Sequence, residues 1–157
     1  MEMKFDVPIS CPPDMEQTVH SVFHGEYDIP LVFAREITVL DLGANCGSFA
    51  LWATHRFPGC RIKSYEPHPE TFRLLDENTK RFSNIQIHNF GVGDPGLRPL
   101  NLGPNNSGES SFHAPESGTG ESIECEVKSP DVLPECDLMK LDIEGCELEV
   151  LRPYLAS

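Results

Sequence analysis

The stretch VLDLGANCGSF, from Val39 to Phe49, decides the fold because a glycine-rich turn joins an apolar segment to an amphipathic one. Val39–Leu42 predicts a short buried strand, and Ser48–Arg56 predicts a helix that ends at the sequence FPG. Gly43 and Gly47 bracket the turn, and glycines in such a turn let the backbone approach a ligand closely. The stretch therefore predicts a ligand site between a strand and a helix.

The segments that follow repeat this alternation of strand and helix. RIKSYE (61–66) and NIQIHNF (84–90) predict strands, and HPETFRLLDENTKRF (68–82) predicts a helix between them. DLMKLDIEG (137–145) predicts a fourth buried strand that runs into an acidic turn, and CELEVLRPYL (146–155) begins a helix. Strands joined by helical crossovers are parallel, so we predict a doubly wound α/β sheet.

We predict two parts in the chain. Residues 1–38 form a polar, proline-bearing lead-in with a helix from about Asp14 to Phe23, and residues 39–157 form the α/β domain that carries the predicted ligand site. Inside that domain, residues 94–121 are dense in Gly, Pro, Ser and Asn and keep no helical period, which predicts an irregular excursion with short extended pieces. SIECEVKS (122–129) then alternates like a strand.

The composition limits the partners and the location of the protein. The 157 residues correspond to about one domain, and the net charge of −13 with no Lys/Arg run argues against a nucleic-acid partner. No run of eighteen apolar residues and no signal-peptide pattern is visible, so we predict a cytoplasmic protein without a membrane span. The six cysteines include no CxxC pair and no zinc pattern, so we predict free thiols and no metal site.

The spacing of the turn indicates which ligand it holds. A dinucleotide site uses GxGxxG, in which the second glycine makes room for a pyrophosphate. Here Asn45 stands at the position of that second glycine, and Asp41 places an acid just before the turn. A carboxylate there repels phosphates and attracts an ammonium group, which favours a cationic cofactor without phosphate.

Glu66 supports an adenosine-type ligand. It ends the second predicted strand, about 20 residues beyond the glycine turn, where a carboxylate accepts both hydroxyls of a ribose. Dinucleotide enzymes and methyl-donor enzymes share this feature, so Glu66 does not separate the two classes.

Four motifs together, DLGANCG, EPHP, NFGVGD and KLDIEGCE, make residues 39–151 similar to the FkbM-type methyltransferase family. The resemblance implies a Rossmann-like class I methyltransferase sheet, here C-terminally short because the family's final strands lie beyond the matched motifs. It implies S-adenosylmethionine as the cofactor and O-methylation of a hydroxyl on a sugar or natural-product-like small molecule.

The resemblance also implies the residues of the site. The glycine turn and Asp41 would hold the methionine end and the sugar of the cofactor, Glu66 the ribose, and the backbone of residues 89–92 the adenine. The cofactor-binding residues implied in this way are Asp41, Gly43, Ala44, Asn45, Gly47, Glu66, Pro67, Asn89, Gly91, Val92 and Asp142. The segment SGESSF (107–112) is similar to a serine-containing segment that the family places near its active site.

Asp142 and Glu144 are the predicted catalytic residues. They stand two apart, which directs both side chains the same way if the strand conformation persists. Methyl transfer to a hydroxyl benefits from a nearby base, and Asp142 is our first choice, with Glu144 second. In the alternative interpretation Asp142 only binds the cofactor ammonium and Glu144 caps the next helix, and His68 and His113 are alternative bases.

Two other function classes stay open at this stage. One is a non-catalytic S-adenosylmethionine-binding module or a fragment that needs a partner, and the other is an NAD(P)-binding oxidoreductase. The outer edge of the fourth strand, without a fifth strand beside it, predicts self-association as a two-fold homodimer.

Overall fold

The computed structural model describes residues 8–27, 29–102, 110–112 and 120–156. The strands in these ranges are β1 (Thr38–Leu42), β2 (Arg61–Tyr65), β3 (Ile85–His88), β4 (Gly91–Val92), β5 (Gly96–Asn101), β6 (Ser122–Lys128) and β7 (Leu138–Leu141). The helices are α1 (Glu16–Ser21), α2 (Ser48–Arg56), α3 (Pro69–Thr79) and α4 (Glu147–Tyr154). The predicted α/β alternation is confirmed, with α2 at its predicted bounds.

The centre of the fold is a parallel sheet in the strand order β3-β2-β1-β7. Leu42, at the end of β1, lies opposite Tyr65 on one side and Leu141 on the other. The carboxyl ends of three parallel strands therefore meet at one edge of the sheet. The chain segments that follow β1, β2 and β7 are brought together there, although they lie far apart in the sequence.

The strand β7 differs from its prediction in one respect. Its four residues are half-buried, whereas we predicted a buried strand. In the part of the chain that the structure describes, β7 pairs only with β1 and forms the edge of the sheet, which explains the partial exposure. The predicted dimerisation through this edge stays a prediction.

The helices α2 and α3 cover the sheet for reasons visible in their sequences. Five successive residues of α2, Phe49 to Ala53, are buried, and all of them except Leu51 belong to a core that includes Val39 of β1 and Ile62 of β2. Helix α3 starts at Pro69, which suits a first helical turn. The His68 ring accepts hydrogen bonds from the amides of Glu70 and Thr71 and so caps this helix.

The lead-in is less regular than the single predicted helix from Asp14 to Phe23. A 3-10 turn precedes α1, and a π-type turn from Val22 to Glu26 follows it. Within this turn Gly25 has a φ of 113°, a left-handed value that interrupts the helical conformation. Tyr27 then packs its ring edge-on against Phe49 of α2, at 5.0 Å between ring centroids. The division of the chain at residue 38 stays a prediction.

A second sheet, in the order β4-β6-β5, occupies part of the stretch predicted to be irregular. Strand β5 is paired along its whole length with β6, from Gly96 opposite Val127 to Asn101 opposite Ser122. Strand β5 is one of the short extended pieces expected in this stretch, and its pairing with β6 places it in a regular sheet. Arg98 of β5 binds Glu149 of α4 at 2.7 Å, which ties this sheet to the last helix. Residues 103–109 and 113–119 lie outside the described ranges.

Two properties of the whole chain complete the description. All six cysteines are free thiols. Across the ranges given above, none of the helices combines the length and the apolar character that crossing a bilayer requires.

The conformation of Gly47 leads to a prediction on stability. A Cβ atom at Gly47 would lie 2.7 Å from Cδ1 of the buried Leu75, and the residue has a φ of 91°. We expect Gly47→Ala to lower the free energy of unfolding by about 2–3 kcal/mol, from backbone strain and from the clash. Gly25→Ala is the matched control, because Gly25 also has a positive φ but nothing lies within 4 Å of its added Cβ. Equal losses in urea denaturation would show that the contact with Leu75 contributes nothing.

Candidate functional site

A cavity of about 360 Å³ opens at the edge where β1, β2 and β7 end. This volume is within the range of small-molecule sites. The segment after β1 contributes Gly43, Ala44 and Asn45 to its lining, and the segment after β2 contributes Glu66, Pro67 and His68. Asp142, Ile143 and Glu144 follow β7. The parallel sheet thus assembles one site from three distant stretches of sequence.

The turn after β1 is held by the neighbouring strand. The amides of Gly43 and Ala44 both donate to the carbonyl of Tyr65, at 3.1 and 3.0 Å. Gly43 has a φ of 75°, and a Cβ atom there would lie 1.9 Å from the carbonyl oxygen of Asp142. Only glycine fits at this position, because the turn packs directly on the backbone that follows β7.

Glu66 joins two of the segments around the cavity. Its Oε2 accepts from the amide of Asn45 at 2.8 Å, and its Oε1 accepts from the amide of His68 at 2.9 Å. The residue is 7% exposed, and burial raises the pKa of its carboxyl to about 7, against the opposing effect of the two backbone hydrogen bonds. Each oxygen keeps a second lone pair, so the carboxylate can still accept hydroxyls from a ligand.

Asp41 lies behind the turn and does not line the cavity. It is fully buried, and its Oδ2 accepts from the hydroxyl of Ser64 at 3.2 Å. Burial raises the pKa of Asp41, while the nearby ammonium of Lys140 acts in the opposite direction. Its position fits a residue that supports the turn from below.

Lys140 is a site residue that the sequence analysis missed. Its ammonium donates to the carbonyl of Gly43 at 2.6 Å and lies 3.5 Å from Oδ1 of Asp41 and 3.4 Å from Oδ2 of Asp142. The side chain is 11% exposed. A lysine in the apolar strand LMKL was a usable signal, because a largely buried ammonium needs partners of opposite charge.

Asp142 and Glu144 both line the cavity, but the strand conformation does not continue between them. Strand β7 ends at Leu141, and Glu144 adopts a left-handed conformation with a φ of 49°. The condition on which the sequence expectation rested, an extended chain from Asp142 to Glu144, is therefore not met. The side chain of Asp142 is 60% exposed. The capping position of α4 is Cys146, two residues beyond Glu144.

Other predicted site residues divide into two groups. Gly91 and Val92 line the cavity, as do Ser110 and Phe112 of the segment SGESSF. Gly47 and Asn89 lie behind the lining. Asn89 donates from its side-chain amide to the carbonyls of Glu66 and Pro67, at 2.8 and 3.2 Å, and so holds the loop after β2.

Of the two histidines considered as bases, the structure describes only His68. His68 lines the cavity, but the ring nitrogen Nδ1 accepts hydrogen bonds from the first amides of α3. Burial lowers the pKa of His68. The ring is thus already engaged in capping the helix. His113 lies outside the described residues.

The lead-in forms one wall of the cavity. Met15, Thr18 and Val22 face it from α1 and its flanking turns, and Glu26 and Tyr27 follow. Burial raises the pKa of Tyr27, and the neighbouring carboxylate of Glu26 adds to this effect. No periodicity in residues 8–38 pointed to this placement.

Comparisons with known proteins agree with this geometry. A family model described as "Methyltransferase FkbM domain" matches residues 41–157. The chain is 31% identical to "Hexuronic acid methyltransferase AglP" of Haloferax volcanii, over 82% of this chain and 56% of that protein. It is 28% identical to "31-O-demethyl-FK506 methyltransferase FkbM" of Streptomyces tacrolimicus, over 72% of this chain and 57% of that protein. The chain thus spans little more than half the length of these relatives.

A solved structure shows the same fold. The methyltransferase FkbM of Methylobacillus flagellatus KT superposes with a TM-score of 0.53 and 21% identity, over 78% of this chain and 30% of that chain. The family model covers most of the present chain, including the turn after β1 and the acidic turn after β7. The chain belongs to the FkbM family of S-adenosylmethionine-dependent methyltransferases.

Proposed function

We propose that the protein transfers a methyl group from S-adenosylmethionine to a hydroxyl of a sugar or natural-product-like small molecule. The observation that carries the proposal is the cavity in which the Gly43 turn, Glu66 and Asp142 meet. Two relatives support the acceptor class, because they are named for a hexuronic acid and for 31-O-demethyl-FK506.

The residues around the cavity fit the cofactor. Glu66 offers a buried carboxylate with free lone pairs for the ribose hydroxyls, and Asp142 offers an exposed carboxylate for an ammonium or sulfonium charge. Lys140 is the one Lys or Arg among the described residues of the lining, and its ammonium contacts three protein groups. Asn45 lines the cavity at the position where the dinucleotide turn has its second glycine, which disfavours NAD(P) and the oxidoreductase alternative.

When bound, the cofactor supplies an electrophilic methyl group, and the protein aligns the acceptor with it. We propose that Asp142 orients the acceptor hydroxyl and takes its proton during the transfer, with Glu144 as the second candidate. Asp41, Gly47 and Asn89 are proposed to act indirectly, by supporting the turn, the start of α2 and the loop after β2. The backbone near Gly91 and Val92 is proposed to face the adenine.

The lead-in wall is our proposal for part of the acceptor site. Its five cavity-lining residues, from Met15 to Tyr27, precede the region that the family model matches. They line the same cavity as Asp142 and Glu144. The wall is therefore in a position to distinguish acceptors while the donor is held elsewhere.

We expect S-adenosylhomocysteine to raise the melting temperature and NAD to leave it unchanged. A ligand that binds only the folded state stabilises it by RT ln(1 + [L]/Kd), which is about 2.7 kcal/mol at a hundredfold excess over Kd. Thermal denaturation with each ligand at the same concentration tests this. Equal shifts, or a shift with NAD alone, would refute the cofactor assignment.

We expect Asp142→Asn to reduce methyl transfer by about 100-fold or more and to affect S-adenosylhomocysteine affinity less than Glu66→Gln does. Transfer is measured as S-adenosylhomocysteine formed with a panel of hydroxylated acceptors, and affinity by calorimetry. If Glu144→Gln has the larger effect on transfer, the base is Glu144. Binding without transfer to any acceptor would favour the alternative of a cofactor-binding module or a fragment that needs a partner.

The pKa of Glu66 predicts a dependence of stability on pH. Its folded-state value of about 7 lies above the ordinary value of 4.5, so the folded protein binds this proton more tightly than the unfolded chain does. The contribution of Glu66 is therefore most favourable below pH 4.5 and is lost as the pH rises toward 7. Relative to Glu66→Gln, the wild type should lose about 2–3 kcal/mol of unfolding free energy over this window.

Urea denaturation of both proteins at several pH values between 4 and 8 measures this difference. Glu70→Gln is the control, because Glu70 is an exposed acid at the start of α3. A constant offset between the wild type and Glu66→Gln at every pH would mean that Glu66 does not titrate in this range.

A further inference from the structure

The ammonium of Lys140 is surrounded by groups from three parts of the site. It contacts the carbonyl of Gly43 in the turn, the carboxylate of Asp41 inside β1 and the carboxylate of Asp142 just after β7. The shortest of these contacts, 2.6 Å, is to the carbonyl and not to either acid. A lysine present only to neutralise an acid would make its closest contact with a carboxylate.

The turn depends on contacts from both sides. On the β2 side its amides are held by the Tyr65 carbonyl and the Glu66 carboxylate. On the β7 side the backbone of Gly43 lies against the carbonyl of Asp142, too close for any side chain. In that same region the side chain of Lys140 reaches over and binds the carbonyl of Gly43. The lysine therefore binds the turn from the side of β7, where the turn and the backbone of Asp142 are in direct contact.

We propose that Lys140 is a positioning residue for cofactor binding, which fixes the glycine turn against β7 and holds Asp142 beside it. The inference rests on the proposed function, because it assigns a role within the same cavity. Neither the turn motif nor the acidic residues alone imply it. The consequence is that loss of the lysine side chain opens the turn and weakens the binding of S-adenosylhomocysteine, even when no buried charge is left unpaired.

A simpler role has to be separated from this one. Asp41 is fully buried, and removing its cationic partner leaves an unpaired buried charge, which destabilises the fold whether or not the turn moves. Lys140→Met alone does not distinguish the two roles. Asp41→Asn removes the buried charge in advance and keeps a group of the same shape next to the hydroxyl of Ser64.

The experiment compares Asp41→Asn with the double variant Asp41→Asn/Lys140→Met. The free energy of unfolding is measured in urea, and S-adenosylhomocysteine affinity by calorimetry. We expect the two proteins to have similar stability, because neither contains an ionised Asp41. We expect the double variant to bind S-adenosylhomocysteine at least about tenfold more weakly, a difference of about 1.4 kcal/mol, because the turn is no longer fixed against β7. Lys63→Met, on the neighbouring strand β2, is the control and should bind like the wild type.

Each outcome decides between the roles. Equal affinities of Asp41→Asn and the double variant would overturn the proposal and leave Lys140 as a counter-ion of Asp41. A double variant with tenfold weaker binding and unchanged stability would support it. A wild-type protein without affinity for S-adenosylhomocysteine would overturn the proposed function itself. The affinity of the wild type therefore distinguishes a failure of the proposed function from a failure of the proposal on Lys140.

Discussion

The close approach of the β1 turn to the backbone after β7 is the constraint on which the site depends. Gly43 and the Asp142 carbonyl are nearer to each other than any side chain would allow. The amide of Asp142 also donates to the carbonyl of Leu42 at 3.2 Å, which continues the sheet beyond the last paired residues. Because the turn after β1 and the backbone after β7 are joined at this point, they form one fixed part of the cavity lining. The loop after β2 forms the neighbouring part of that lining.

Three carboxylates and one ammonium group lie around these joined segments. One acid, Asp41, is enclosed beneath the turn, and a second, Asp142, stands at the surface of the cavity, with the ammonium of Lys140 between them. A third, Glu66, is buried and is held by two backbone amides. Carboxylates that look alike in the sequence therefore have three different environments, and only two of them face the ligand space.

The local parts of this arrangement could be predicted from the sequence, and the long-range parts could not. The apolar run before Gly43, the proline at the start of α3 and the alternation of segments predicted the parallel sheet, because periodicity and turn chemistry act within a few residues. The left-handed conformation of Glu144 was missed, because nothing in the strand pattern shows where extension stops. The contact of Lys140 with Gly43 joins residues that only the sheet brings together. The lead-in wall depends on packing of Tyr27 against α2, which leaves no periodic signal.

The position of the lead-in wall has a consequence for how such a protein diversifies. The wall is contributed by one continuous segment that comes before β1 in the chain, whereas the residues proposed to bind the cofactor are spread over the ends of several strands. A change in the second set disturbs several elements at once, whereas the wall can be exchanged as one segment. Under the proposed function, a chimera that carries the corresponding segment of a relative is expected to keep the cofactor site and to acquire a different acceptor site, which makes residues 15–27 the unit to exchange when selectivity is redesigned.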